Sequence, residues 1–127
     1  MSETTDPAVQ TFYDSLASHD AAALLDAVHN DFVLTLSPGL PLPGDREFHG
    51  GAVAVGNVWG RIPEDLGLRC EPDRTLPVAA DEFVVLGHYR GDDWEAPFAH
   101  VVTTKDGKVA SLRQITDTRC WPDLTPR

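Results

Sequence analysis

Three side chains stand out by chemical type and by place: Tyr13, His100 and Asp117. A phenol, an imidazole and a carboxylate around a small molecule could move a proton and stabilise a developing oxyanion without any cofactor. His100 lies on a predicted strand between the apolar Phe98 and Val102. An inward-facing polar residue there is either a donor or proton shuttle, or a satisfied histidine lying against the helices. Asp117 follows the last predicted strand. An apolar wall of Phe98, Ile115 and Trp59 or Trp121 would raise its pKa and suit it to acid/base work, whereas pairing with Arg113 or Arg119 would lower it. Tyr13 points to the core face of its helix, where a buried phenol is either a pocket donor or core packing with a wet hydroxyl.

Other chemistries lack their residues. A metal site would need His49, His88, His100 and Asp117 to converge, and no HxH or HExxH spacing suggests it, so no metal is expected. His49, at a turn, and His88, of opposite parity to Tyr89, read as surface or rim residues. No glycine-rich phosphate loop, GxSxG elbow or Cys/His pair of known spacing occurs, so no cofactor is expected. Cys70 and Cys120 stand far apart without a CxxC pattern and read as two reduced thiols.

The elements that must position these groups run helices first, strands after. Asp6-Pro7 reads as a helix start, with Val9, Phe12, Tyr13 and Leu16 on one buried face. A second helix starts at the cap Asp20 and runs through Ala21 to Val28, burying Leu24, Leu25 and Val28. Phe32 to Leu36 is β-rich and stops at Ser37-Pro38-Gly39; the stretch from Leu40 to Gly44 is loop, followed by a short extended piece from Arg46 to His49. Gly50-Gly51 opens a third helix carrying Val55, Val58, Trp59 and Ile62 and ending at Pro63. Period-two segments then span Leu68 to Val78, Phe83 to Tyr89, Phe98 to Thr103 and Val109 to Thr116.

Asp106-Gly107 is a two-residue hairpin signal, because both central positions of that turn need φ > 0. It pairs Lys105 with Lys108, and counting outward puts His100 opposite Arg113. Phe98, His100, Val102, Ser111, Arg113, Ile115 and Asp117 then share one sheet face. A three-residue loop would send Asp117 to the other face. Even on the first register, His100 and Asp117 stand about four residues apart along the ladder, on the order of 13 Å, so they would flank a ligand rather than bond. The order of elements predicts an α+β domain, a mainly antiparallel meander extended by an early strand, with helices packed on one side of a curved sheet. Such a cone has a mouth that suits a small apolar ligand.

With 127 residues, the chain is expected to form a single domain over 1–127. Ten Lys and Arg against twenty Asp and Glu leave a net charge of −10, which speaks against a nucleic-acid-binding face. No apolar run approaches a membrane span and the first residues are polar, so no membrane partner is expected and a cytoplasmic location is.

Val9 to Tyr13 with Ser18-His19-Asp20, Phe48-His49-Gly50-Gly51, Ala96 to Val102, Asp106 to Val109 and Arg113 to Thr118 together resemble the SnoaL-like branch of the nuclear transport factor 2-like superfamily, kin to ketosteroid isomerase and including polyketide cyclases. The resemblance covers nearly the whole chain and implies a cone-shaped, cystatin-like α+β roll. Carried onto this chain, the isomerase's catalytic Asp-Pro step falls at Ser37-Pro38, so that base is missing. Its helix-borne oxyanion donor falls at Phe12 or Tyr13, and its second donor at or near His100. The cyclase branch implies an acid/base at Asp117 with a histidine at His100.

Two functions follow as expectations. One is a small enzyme handling a neutral, ring-like or polyketide-like compound by acid/base chemistry of cyclase, isomerase or hydrolase type, with Asp117, His100 and Tyr13 catalytic. Phe12, Trp59, Phe98, Val102, Arg113 and Ile115 would then line the substrate. The other is a non-catalytic ligand-binding or dimerisation module of the same fold. A homodimer is expected under both, because a small curved sheet exposes a broad face.

Overall fold

The computed structural model describes residues 6–41, 44–59 and 68–122. Helix α1 spans Pro7–Ala17, with the Asp6 carboxylate accepting from the backbone N–H of Ala8 (3.0 Å) and Val9 (3.2 Å). Pro7 sits at the first position, where no N–H is needed. Val9, Phe12 and Tyr13 are buried and Leu16 packs at the edge of the core. Asp20 caps α2, Ala21–Ala27, through the Ala23 N–H. Here two expectations are corrected: Leu25 is 41% exposed, and Val28 opens a strand instead of closing the helix. The helix turns Leu24 and Ala27 inward, and Leu25, about 100° around from Leu24, faces out.

Strand β1 is Val28–Thr35 and β2 is Glu47–His49; helix α3, Gly51–Asn57, follows Gly50, whose φ of +97° suits only glycine. Val58 is buried beyond α3 and Trp59 is half-buried; Ile62 and Pro63, expected to close this helix, lie outside the described residues. Strands β3 (Arg69–Ala79), β4 (Glu82–Arg90), β5 (Glu95–Lys105) and β6 (Lys108–Thr116) form the meander, and a short 3₁₀ turn, Thr118–Cys120, follows. The sheet has six strands in the order β2-β1-β6-β5-β4-β3. All pairs are antiparallel except β1 with β6, so the early strand joins the meander in parallel. The fold is α+β, with the three described α-helices packed on a curved sheet, α1 lying across β3, β5 and β6. No described helix is long and apolar enough to cross a membrane.

The β5–β6 hairpin turns at Asp106 (φ +54°) and Gly107 (φ +75°), with Lys105 opposite Lys108 as expected. Three residues later the expected register fails. Thr104 pairs with Val109 and Thr103 with Ser111, so Ala110 has no partner and forms a bulge. Beyond it His100 stands opposite Gln114, not Arg113. Because side chains alternate, this one extra residue reverses the parity of the rest of β6. Leu112 and Gln114 turn inward with Phe98, His100 and Val102, and Arg113 and Ile115 turn outward, Ile115 being 51% exposed.

Gly87 faces inward opposite Phe98. A Cβ there would stand 2.6 Å from the Phe98 ring and closer still to the Glu71 carbonyl oxygen on β3. Gly87→Ala is therefore expected to cost roughly 1–3 kcal/mol by overpacking, read as a lower urea midpoint at unchanged m-value.

Candidate active site

His100 on β5 is 2% exposed and sits between two phenols. Its Nδ1 lies 2.6 Å from the Tyr13 hydroxyl on α1, and its Nε2 lies 2.5 Å from the Tyr89 hydroxyl on β4. The Phe98 ring stacks on the imidazole with centroids 3.9 Å apart. Strand alternation and register account for the placement: His100 faces inward opposite Val85, Tyr89 faces inward four residues further along β4 and reaches back toward it, and α1 crosses the sheet with Tyr13 on its buried face. Of the two residues left open at the α1 position, Tyr13 reaches His100. Phe12 is fully buried and packs edge-on against Tyr13 and Trp59.

The network continues through β6. Gln114 Nε2 donates to the Tyr89 hydroxyl (3.0 Å), and Gln114 Oε1 accepts from the backbone N–H of Ser37 (3.3 Å). Ser37 Oγ donates to the Gln114 carbonyl (2.9 Å) and accepts from the Thr116 N–H (3.1 Å). Ser37, at the step where the isomerase-like base is missing, thus splices the end of β1 to β6 and holds the glutamine amide in one orientation. Trp121 closes the far side, its ring 4.7 Å from that of Tyr89 and its indole N–H donating to Thr116 Oγ1 (3.0 Å).

Burial decides the charge states. Desolvation lowers the His100 pKa to about 3, so the imidazole is neutral at physiological pH. The Tyr13 and Tyr89 phenols are pushed well above their ordinary value, first by burial and then by the neighbouring Cys70 thiol. Cys70, opposite Tyr89 on β3, is itself pushed up to about 12 by burial and by Glu71. Every group in the network is therefore neutral, the phenols holding their protons and the imidazole carrying one. In a dry surrounding such neutral donors are well suited to polarise a carbonyl and poorly suited to remove a proton.

Asp117 stands elsewhere. Its side chain is 39% exposed and caps the 3₁₀ turn, accepting from the Arg119 backbone N–H (3.1 Å) and pairing with the Arg119 guanidinium. Those contacts with Arg119, the backbone hydrogen bond first, hold its pKa below the usual carboxylate value, opposite to the rise that acid/base work needs. Of the expected site residues, the structure brings together Tyr13, His100, Phe98, Phe12, Trp59 and Val102 on the helix-facing side. Arg113, Ile115 and Asp117 fall outside it. The two groups that sequence reasoning missed are Tyr89 and Gln114. His88 and His49 lie at the surface, His88 bonded to Asp73 (2.7 Å) and His49 facing Glu47 (3.4 Å). Cys70 and Cys120 are free thiols. Among the described residues no three His, Cys, Asp or Glu side chains cluster as metal ligands would.

Residues 9–112 match the family model described as SnoaL-like domain. No curated protein matches the sequence. Among solved structures, a nuclear transport factor 2-like protein from Burkholderia thailandensis is similar at 25% identity and a TM-score of 0.79, covering 92% of this chain and 95% of that one. A protein named TerC, co-crystallised with polyporic acid, is similar at 23% identity and TM-score 0.74, over 88% of this chain and 90% of its own. A proposed polyketide cyclase from Sinorhizobium meliloti gives 19% identity and TM-score 0.67, over 85% and 93%.

The depressed His100 pKa makes stability depend on pH. Above about pH 6.5 the imidazole is neutral both folded and unfolded. Between about 6.5 and 3 only the unfolded chain takes the proton, so stability falls as pH falls, with a slope of up to about 1.4 kcal/mol per pH unit from this group. Urea unfolding of wild type at pH 7 and pH 5 should show that loss, and His100→Phe should flatten the difference.

Proposed function

This chain belongs to the SnoaL-like domain family, and from that premise we propose that it binds a neutral, largely apolar ring compound bearing a carbonyl and activates that carbonyl without a cofactor. The observation that supports this is a count of protons. Tyr13, neutral His100 and Tyr89 carry three between them, two phenolic and one imidazole, but share only two hydrogen bonds. One phenolic proton is left with no acceptor among the described residues. A buried donor that lacks an acceptor is costly, and a ligand carbonyl oxygen is the partner that would complete it.

The same network limits the reaction. The buried polar side chains in the described residues are Ser15, Ser37, His100 and Gln114 with the two tyrosines, and none is a carboxylate. The protein would therefore supply a hydrogen bond to the developing enolate oxygen, and a substrate carbon made acidic by two flanking carbonyls would give its proton to water, the enolate carbon then attacking a second carbonyl in a cyclisation or taking a proton back from water in an isomerisation. The missing carboxylate equally favours a second reading, a module that binds the ketone and leaves it unchanged.

Both readings meet the same experiment. 1-Tetralone and tetralin differ by one carbonyl oxygen, and a hydrogen bond of about 1.4 kcal/mol gives a tenfold preference for the ketone. Calorimetry should find that preference in wild type and in Asp117→Asn, and parity in Tyr13→Phe; parity in wild type would sink the proposal. Deuterium uptake at the carbon beside the bound carbonyl separates the readings, since faster exchange marks catalysis and an unchanged rate marks a binding module.

The outward face is the place for a second copy of the chain. Val84 lies opposite Val101, Leu86 opposite Ala99, and Ala99 opposite Ile115, so the centre of this face is apolar. These central residues include no carboxylate, so two chains of net charge −10 would meet there with least repulsion. Light scattering should give a dimer for wild type and a monomer for Ile115→Glu; a monomeric wild type at high concentration would remove the assignment.

A further inference from the structure

We infer that Gln114 decides which nitrogen of His100 carries the proton, and thereby places the free phenolic proton of the network on Tyr13 rather than on Tyr89. The inference rests on the carbonyl-binding reading and names the donor that the ligand meets.

The amide of Gln114 has one orientation available. A backbone N–H can only donate, so the oxygen must face Ser37 N, and the NH₂ must face the Tyr89 hydroxyl. Tyr89 oxygen therefore receives a proton from Gln114. Two arrangements of the remaining protons are then open. In the first, Tyr89 donates to His100 Nε2, the imidazole carries its proton on Nδ1 and donates to Tyr13, and the Tyr13 hydroxyl proton is free. In the second, Nε2–H donates to Tyr89, whose oxygen then accepts twice while its own proton is stranded, and Tyr13 donates to Nδ1.

Both hydroxyls are buried, so the direction of the hydrogen bonds, and not the packing, separates these arrangements. Tyr89 is packed by Phe98, His100 and Trp121, its ring centroid 4.7 Å from Phe98 and 4.7 Å from Trp121. Its hydrogen-bonded neighbours are His100 and Gln114, and in the second arrangement both donate to an oxygen that passes nothing on, whereas in the first the bonds run one way from Gln114 through Tyr89 and His100 to Tyr13, each polarising the next. In the first arrangement Tyr89 gives one proton and receives one. The free proton then belongs to Tyr13, on the helix that faces the sheet beside Phe12 and Trp59, the apolar wall expected to hold a ring. The ligand that suits this donor brings an acceptor oxygen, a ketone, ester or quinone carbonyl.

Long-range ¹H–¹⁵N correlation on ligand-free protein reads the tautomer directly. Wild-type His100 should carry its proton on Nδ1. Gln114→Glu inverts the chain: its carboxylate still accepts from Ser37 N–H and now accepts from the Tyr89 hydroxyl, so Tyr89 oxygen takes Nε2–H and Tyr13 donates to Nδ1. Spectra at pH 8.5 should then show the proton on Nε2, and the tenfold ketone preference should fall to parity because every proton has an acceptor. Gln114→Leu removes the bias altogether and should give both tautomers, which keeps the test open if the carboxylate variant does not fold. An Nε2–H wild type, an Nδ1–H Gln114→Glu protein, or a pure Nδ1–H Gln114→Leu protein would overturn the inference. Since the tautomer is read without ligand, a loss of ketone preference with the tautomer intact would count against the carbonyl-binding reading and not against this one.

Discussion

An imidazole taken wholly out of water must find a carboxylate or give up its charge, and His100 has two phenols instead. Much of the interior is arranged around that choice. Neutral histidine needs one donor and one acceptor, and the two phenols come from opposite layers, Tyr13 from the helices and Tyr89 from the sheet. The hydrogen-bonded trio therefore ties α1 to β5 and β4 in a way that apolar packing alone does not, because it tolerates no sliding of the helix along the sheet. Stacking of Phe98 on one face of the ring completes the exclusion of water that keeps the histidine neutral.

Two local devices deliver these groups. Asp6 and Pro7 start α1 so that Tyr13 falls on its buried face, and the unpaired Ala110 turns Gln114 inward to meet Tyr89. Without that extra residue the strand would carry Arg113 and Ile115 toward the helices. An arginine there would bring a charge into the dry region around His100, and the network would lose the amide that orders it. One bulge thus assigns both faces of β6, an inner face with Leu112 and Gln114 and an outer face with Ile115.

The fold was legible because its signals are local and repeated: the cap at Asp6, the period-two segments, and Asp106-Gly107 at the hairpin. The residues of the inner wall, Phe12, Tyr13, Phe98, His100 and Val102, were legible for the same reason. What failed was long-range counting. A register carried outward from a turn is correct only up to the first bulge, and an alanine in mid-strand announces none. The available sign was Val109 and Leu112, two apolar residues three apart in a strand of period two; both are buried, which a regular strand does not allow. Tyr89 was visible as an inward residue of β4, but its partner across two strands depends on a register that the sequence does not print. Asp117 reads in the sequence as an acid/base or as the partner of Arg113 or Arg119, and Arg119, only two residues on, is the one it meets.

With Asp117 at the surface and Ser37 bonded to Gln114, the described residues buried around His100 include no carboxylate. Buried polar groups that are neutral phenols, an imidazole and an amide offer no counter-charge, so neither an anion nor a cation would offset its desolvation among them. On the carbonyl-binding reading proposed above, discrimination would come from hydrogen-bond direction: a donor network with one proton in excess would take a carbonyl oxygen, gain nothing from a hydrocarbon and compete with a second donor. Ser37, at the step where the resemblance would put an isomerase base, holds Gln114 through its backbone N–H on the amide oxygen and its hydroxyl on the Gln114 carbonyl. The Ser37 backbone N–H orients the Gln114 amide, and through that amide the protons of Tyr89, His100 and Tyr13 are ordered, which on the same carbonyl-binding reading leaves one hydroxyl proton for an acceptor oxygen.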